Sequence, residues 1–147
     1  MMEDFQGGTD KQLILGIPVI DIQHANLRRM LDNLSSLKVT ENINPRFLLA
    51  VRETRDYLKY HFDTQEKLML LLEYPEYIMH KREHEDFFQE ILRRSGLFQT
   101  GQNADQEEFT CFLKDWINFH AGNSDTAFTD FFVSMRYHSK FRLALCN

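Results

Sequence analysis

Residues 61–84 read HFDTQEKLMLLLEYPEYIMHKREH and carry three of the chain's six histidines. His80 and His84 are four residues apart, which puts both side chains on one face of a helix. Pro75 interrupts the stretch, and the residue before a proline resists the α region. The spacing therefore predicts two helices meeting at EYPEY, with histidines gathered on one stripe. On the first helix His61 is followed by Gln65 four residues on and by Glu66 one place later.

Working outward, the remaining segments also read as helices. Asp21 is a good N-cap, and apolar residues recur at Ile22, Leu27, Met30, Leu31 and Leu34, predicting a helix over 22–38. KVTENIN is a polar loop. Pro45 suits the first turn of a second helix that runs to Leu72. A third covers 76–95 and ends at Ser95-Gly96. After the loop QTGQNADQ, with Asp105 as its cap, a fourth runs over 106–120 and breaks at AGNSD. A short terminal helix follows over 126–138. Residues 1–20 form an N-terminal arm, in which GIPVI packs across the bundle without being helical. The fold class expected is all-α, an antiparallel up-down-up-down four-helix bundle. The bundle spans about 22–136 within a single domain of residues 1–147.

Composition narrows the function. At 147 residues, 43% hydrophobic and with 13 Phe, the chain has material for one core. A net charge of −5 argues against nucleic acid, whose partners are basic. No apolar run approaches about 18 residues, so no membrane partner is expected. The acidic, polar N-terminus is unlike a secretory signal. Two cysteines make no disulfide framework. A cytoplasmic protein with reduced thiols is the expectation, with Cys111 packed in the fourth helix and Cys146 exposed at the end.

The histidines point to a metal. His24, His61, His80, His84 and His120 place at least one imidazole on each of the four helices, leaving only His138 over. Asp125 lies five residues after His120, roughly 140° away on an unbroken helix, and a break at Gly122-Asn123 would turn it back inward. Neutral imidazole suits iron, copper, zinc and nickel. Five imidazoles and a carboxylate exceed the needs of one ion, so two ions are more natural.

Four segments carry a resemblance: GIPVIDIQH (16–24), YHFDTQEKLM (60–69), YPEYIMHKREHEDF (74–87) and WINFHAGNSD (116–125). In order and spacing they resemble the hemerythrin family, in particular its bacterial members, over about residues 14–133. The resemblance implies a four-helix bundle holding a non-haem diiron centre, oxo- or hydroxo-bridged, that binds O2 reversibly. It assigns His80, His84 and His120 to one iron, and His24 and His61 to the other. Asp125 would bridge, and the two-histidine iron would keep the open position. Phe62, Met69, Trp116 and Ile117 match apolar residues around the family's oxygen pocket, and plain core packing explains them equally.

The departure is Gln65, where the family pattern HxxxE has a bridging glutamate. An amide keeps the shape and an oxygen donor but lacks the charge. Glu66 becomes an alternative ligand only if a π-bulge turns it inward; otherwise it sits on the outer face or at a helix contact. With one carboxylate fewer, the centre is expected to form with a raised reduction potential. The functional expectation is O2 binding for sensing, storage or delivery, without catalytic residues. The alternatives are a diiron redox enzyme or sensor handling peroxide or nitric oxide, or a metal-binding protein with impaired O2 binding. Partners expected besides O2 are a separate signalling protein, with the chain itself a monomer or weak homo-oligomer. The aromatic tail after Asp125 reads as a helix that caps the bundle or as a docking surface.

Overall fold

Each helix begins where its sequence supplies a way to satisfy the first amides. Helix α1 spans Pro18–Ser36, α2 Pro45–Leu71, α3 Tyr77–Gln99, α4 Gln106–His120 and α5 Thr126–Leu145. This is a computed structural model, and it describes residues 14–38, 44–100 and 105–145, with side chains to Arg136. Pro18 and Pro45 both open helices, where the missing N–H was unpaired anyway. The Asn44 side chain caps α2 by accepting from the Arg46 amide. Asp105 caps α4 by accepting from the amides of Glu107 and Glu108, as its sequence position predicted.

The four bundle helices form the antiparallel all-α bundle that the spacing predicted. Helix α1 packs against α2 and α4, and α2 against α3. Among the described residues two apolar clusters fill the interior. The larger includes Leu27, Leu58, Phe62, Phe87, Ile91, Phe109 and Leu113. The smaller holds Ile17, Ile20, Met69, Tyr74 and Phe128. Along α2 the buried polar residues His61 and Gln65 fall around Phe62 of the first cluster and before Met69 of the second. A polar layer thus sits inside an otherwise apolar core, and buried polar groups of this kind need partners.

Several expectations are corrected. The first helix starts at Pro18, so PVI of GIPVI is its first turn rather than part of a non-helical arm; residues 1–13 of that arm lie outside the described residues. Asp21 is not the N-cap. It sits in the first turn, and its carboxylate accepts from the amides of Leu15 and Gly16 at 2.7 and 3.0 Å. Gly16 has φ +105°, a conformation that suits glycine. Ile22 is 63% exposed, and its expected place in the core is taken by Ile20, Gln23 and His24. Helix α3 passes through Gly96 to Gln99. Cys111 is exposed on α4, not packed, and Cys146 lies outside the described residues.

The turn at EYPEY is built by more than Pro75. Glu73 adopts φ 53°, the Glu73 amide donates to the Leu70 carbonyl, and the Tyr74 amide donates to Met69 at 2.9 Å. This pair of bonds closes α2 as a Schellman cap, with Met69 and Tyr74 in the same apolar cluster. Holding a glutamate in the left-handed region costs about 1 kcal/mol, which the Met69–Tyr74 packing offsets.

The largest difference is at AGNSD. The chain does not break there: residues Ala121–Asp125 form a π-helical turn that joins α4 to α5 without interruption. The terminal helix accordingly extends to Leu145 rather than 138.

Candidate metal centre

A π-helical turn repeats every five residues or so, which brings i and i+5 onto one face. That is the physical reason Asp125 points where His120 points. Gly122 and Asn123 are both exposed within it, and Thr126 donates its hydroxyl to the Ala121 carbonyl at 2.7 Å. The sequence reading identified the inward turn of Asp125 but expected a break to produce it.

His24, His61, Gln65, His80, His84, His120 and Asp125 are all buried and meet in one layer. Their ligand-capable atoms fall into two groups, His80, His84, His120 and Asp125, and His24, His61 and Asp125. In the first group the Nε2 atoms of His80 and His84 each lie 3.0 Å from Nε2 of His120. Asp125 Oδ1 lies 3.1 Å from Nε2 of both His80 and His120. Its other oxygen, Oδ2, lies 3.3 Å from His24 Nε2. One carboxylate thus faces both groups, an oxygen to each. Gln65 lies between them as well, its Nε2 donating to Asp125 Oδ1 at 2.7 Å and its Oε1 lying 3.2 Å from His80 Nε2.

The outer nitrogens of three rings fix their tautomers. His84 Nδ1 is 3.0 Å from Glu66 Oε1, and His120 Nδ1 is 2.9 Å from Glu83 Oε2. A carboxylate only accepts, so both Nδ1 atoms carry the proton and both Nε2 lone pairs face inward. His61 Nδ1 is 2.8 Å from Gln23 Oε1. The amide is oriented by a chain: the Thr64 hydroxyl donates to the Tyr60 carbonyl, and Gln23 Nε2 donates to Thr64. His61 therefore also presents a lone pair to the centre. Lone pairs of His84 and His120 facing each other at 3.0 Å are satisfied by a cation between them, so the donor set fits a metal.

Burial keeps two of the rings, His61 and His84, neutral. Burial, followed by the neighbouring His24, lowers the His61 pKa to about 3. Burial and the adjacent His120 hold His84 well below its ordinary value. Burial pushes Asp125 up, but the surrounding imidazoles, His120 foremost, win and keep its carboxyl well below the usual range. Neutral imidazoles and an ionised carboxylate are the protonation states that ligate metals.

Aromatic rings pack on the three-histidine group. Phe62 stacks on His84 with centroids 3.9 Å apart and planes 9° apart, and Trp116 stacks on His120 at 4.4 Å and 14°. These are two of the four apolar pocket candidates. Ile117 is buried in the larger core cluster, and Met69 belongs to the smaller one.

Glu66 is not brought into either ligand group. Helix α2 is regular over its whole length, with no π-bulge, so the offset of five from His61 carries Glu66 to the contact with α3. There it holds His84 from behind, and burial pushes its carboxyl pKa up. Sequence reasoning missed Gln23, Thr64, Glu83 and Ser124, whose hydroxyl donates to Glu83 Oε2 at 2.6 Å. These partnerships join residues 37 to 41 positions apart, so no local spacing marks them. The side chain of His138 lies outside the described residues.

The fold and the layer define a helical-bundle metal-binding protein whose centre is made of histidine and aspartate. Residues 15–138 match the family described as the hemerythrin HHE cation binding domain. The chain belongs to the hemerythrin family, whose members bind non-haem iron and O2. It is similar to the bacteriohemerythrin of Stenotrophomonas maltophilia (strain R551-3), 33% identical over 120 residues that cover 80% of this chain and 76% of that protein. No solved structure matches it. Among the described residues no helix is long and apolar enough to cross a membrane.

Proposed function

We propose that the chain holds two iron ions and binds O2 reversibly, as a sensing, storage or delivery protein rather than an enzyme. His80, His84 and His120 would hold one iron, His24 and His61 the other, and Asp125 would bridge. The observation that carries this reading is the buried Asp125 carboxylate, which offers one oxygen to each histidine group. The pair with only two imidazoles has the fewer protein donors, so an iron held there would leave room for O2. Iron, when bound, would supply the electrons for reversible O2 binding. The chain's own residues keep His61 and His84 neutral, hold the Nε2 lone pairs of His84 and His120 inward, and exclude water with Phe62, Trp116 and Ile117.

Gln65 favours a second reading. Its amide donates to Asp125 instead of adding a charge to the centre, so a ferric state would be less stabilised and the reduction potential higher. A redox or sensing centre acting on peroxide or nitric oxide, or a metal protein with weakened O2 binding, follows from that shift.

Anaerobic Fe(II) loading, counted per chain and followed by O2 exposure with an optical spectrum, separates the readings. Two irons and a visible charge-transfer band that disappears when O2 is removed is the expected result. Two irons that pass directly to a ferric spectrum favour the redox reading. One iron or none overturns the diiron proposal.

A further inference from the structure

The centre is short of negative charge. Under the diiron reading, on which this inference rests, two Fe(II) ions bring four positive charges. Among the described residues the inward donors are five imidazoles, one amide and one carboxylate, Asp125. A buried excess of positive charge is costly unless an anion lies near it. The next carboxylates outward are Glu66 on the His84 ring and Glu83 on the His120 ring.

Of these two, Glu66 is the more secluded. Its side chain is 16% exposed, against 46% for Glu83, and a charge nearer the interior is less screened by solvent. Glu83 also receives the Ser124 hydroxyl, which divides its acceptor capacity. Glu66 meets solvent at a surface cleft of ≈ 280 Å³ between α2 and α3, shared with Lys59, Lys81 and Phe62. His84 is already oriented by the parallel Phe62 ring, 3.9 Å away. A neutral acceptor would be enough to fix its tautomer. What a carboxylate adds at that position is charge, passed through the imidazole to whatever Nε2 binds.

We propose that Glu66 is a positioning residue that supplies, from behind His84, the negative charge that Gln65 withholds from the centre. Its carboxylate makes the His84 ring a more basic donor and offsets the cation excess on the three-histidine side. The two positions are adjacent in sequence, but α2 sends them to different places: Gln65 into the layer and Glu66 to the seam with α3.

The test is Co(II) binding to the full chain, followed by its visible absorption. It is run on the unaltered chain, Glu66→Gln and Glu66→Ala, and on each of the three again in a Gln65→Glu background. Glu66→Gln keeps shape and an acceptor for His84 Nδ1, so its effect reads charge; Glu66→Ala removes the acceptor too. Circular dichroism reports whether each variant retains its helix. The expected result is about tenfold or more weaker Co(II) binding in Glu66→Gln, with most of that loss gone once Gln65→Glu restores a carboxylate to the layer. An equal loss in both backgrounds would make Glu66 a local His84 support and overturn the compensation. No loss in Glu66→Gln, or no Co(II) uptake by the unaltered chain, overturns it outright. Failure of the O2 reading shows separately, as a chain that takes up iron and Co(II) but gives no reversible spectrum with O2.

Discussion

The two histidine groups share Asp125 but are supported differently. His80, His84 and His120 have anions behind two of their rings, Glu66 and Glu83, and aromatic faces stacked on the same two. His24 and His61 lean on each other at 4.8 Å, and the partner behind His61 is the neutral amide of Gln23. The first group is built as a rigid, electron-rich anchor. The second has fewer donors and no charge behind His61, which suits the side where a small ligand enters. The difference teaches that a metal centre can be made asymmetric from outside its ligands, by what each imidazole's other nitrogen meets.

Removing the shared residue has the largest expected effect on this comparison. Asp125→Asn takes away the centre's one inward charge, and iron counted per chain should fall from two to one or fewer. Retention of two irons would mean that the groups do not depend on a common carboxylate. Next is Phe62→Ala, which removes a buried ring from the core and from the face of His84. The metal-free protein should lose about 3–5 kcal/mol in denaturant unfolding. Its cost to metal binding should fall on the three-histidine side.

Acid tests what both groups share, their neutral imidazoles. The His61 pKa is about 3 in the folded chain against 6.5 as the ordinary value. The unfolded chain therefore takes up this proton first as pH falls. The stability involved is fully present above pH 6.5 and is lost between 6.5 and about 3, at up to ~1.4 kcal/mol per pH unit. Thermal unfolding of the metal-free protein should drop steadily from pH 7 to pH 5. A flat profile would show His61 to be solvated rather than buried. The smallest effect belongs to Gln23→Leu, which strips His61 of its outer partner. Metal affinity on the two-histidine side should weaken about tenfold, with the three-histidine side unchanged. Equal weakening of both would erase the distinction between them.

Much of this was legible in the chain itself. Helix periods, the proline at 45 and the cap at Asp105 are local signals, and the positions of the five histidines follow from them. Gly16-Ile17-Pro18 misled because a proline at a helix start and a proline in an extended arm look alike without the Asp21 carboxylate that ties the preceding amides. Ile22 misled because one apolar residue in period can be exposed when polar Gln23 and His24 claim the interior. The offset of five from His61 places Glu66 off the histidine stripe, yet its partner His84 is on another helix and no spacing names it.

The sequence by itself determined an all-α chain, a histidine layer on four helices and an amide at position 65, because these depend on periodicity and on residue chemistry. Tertiary structure alone decided three things. It set the π-helical turn that aligns Asp125 with His120 and the nitrogen by which each imidazole faces inward. It also divided the charge between an inner amide and an outer carboxylate. The turn is a backbone choice that no residue pattern in AGNSD announces, and the other two depend on side chains from distant parts of the chain meeting at hydrogen-bond distance, a proximity that exists only once the helices have packed.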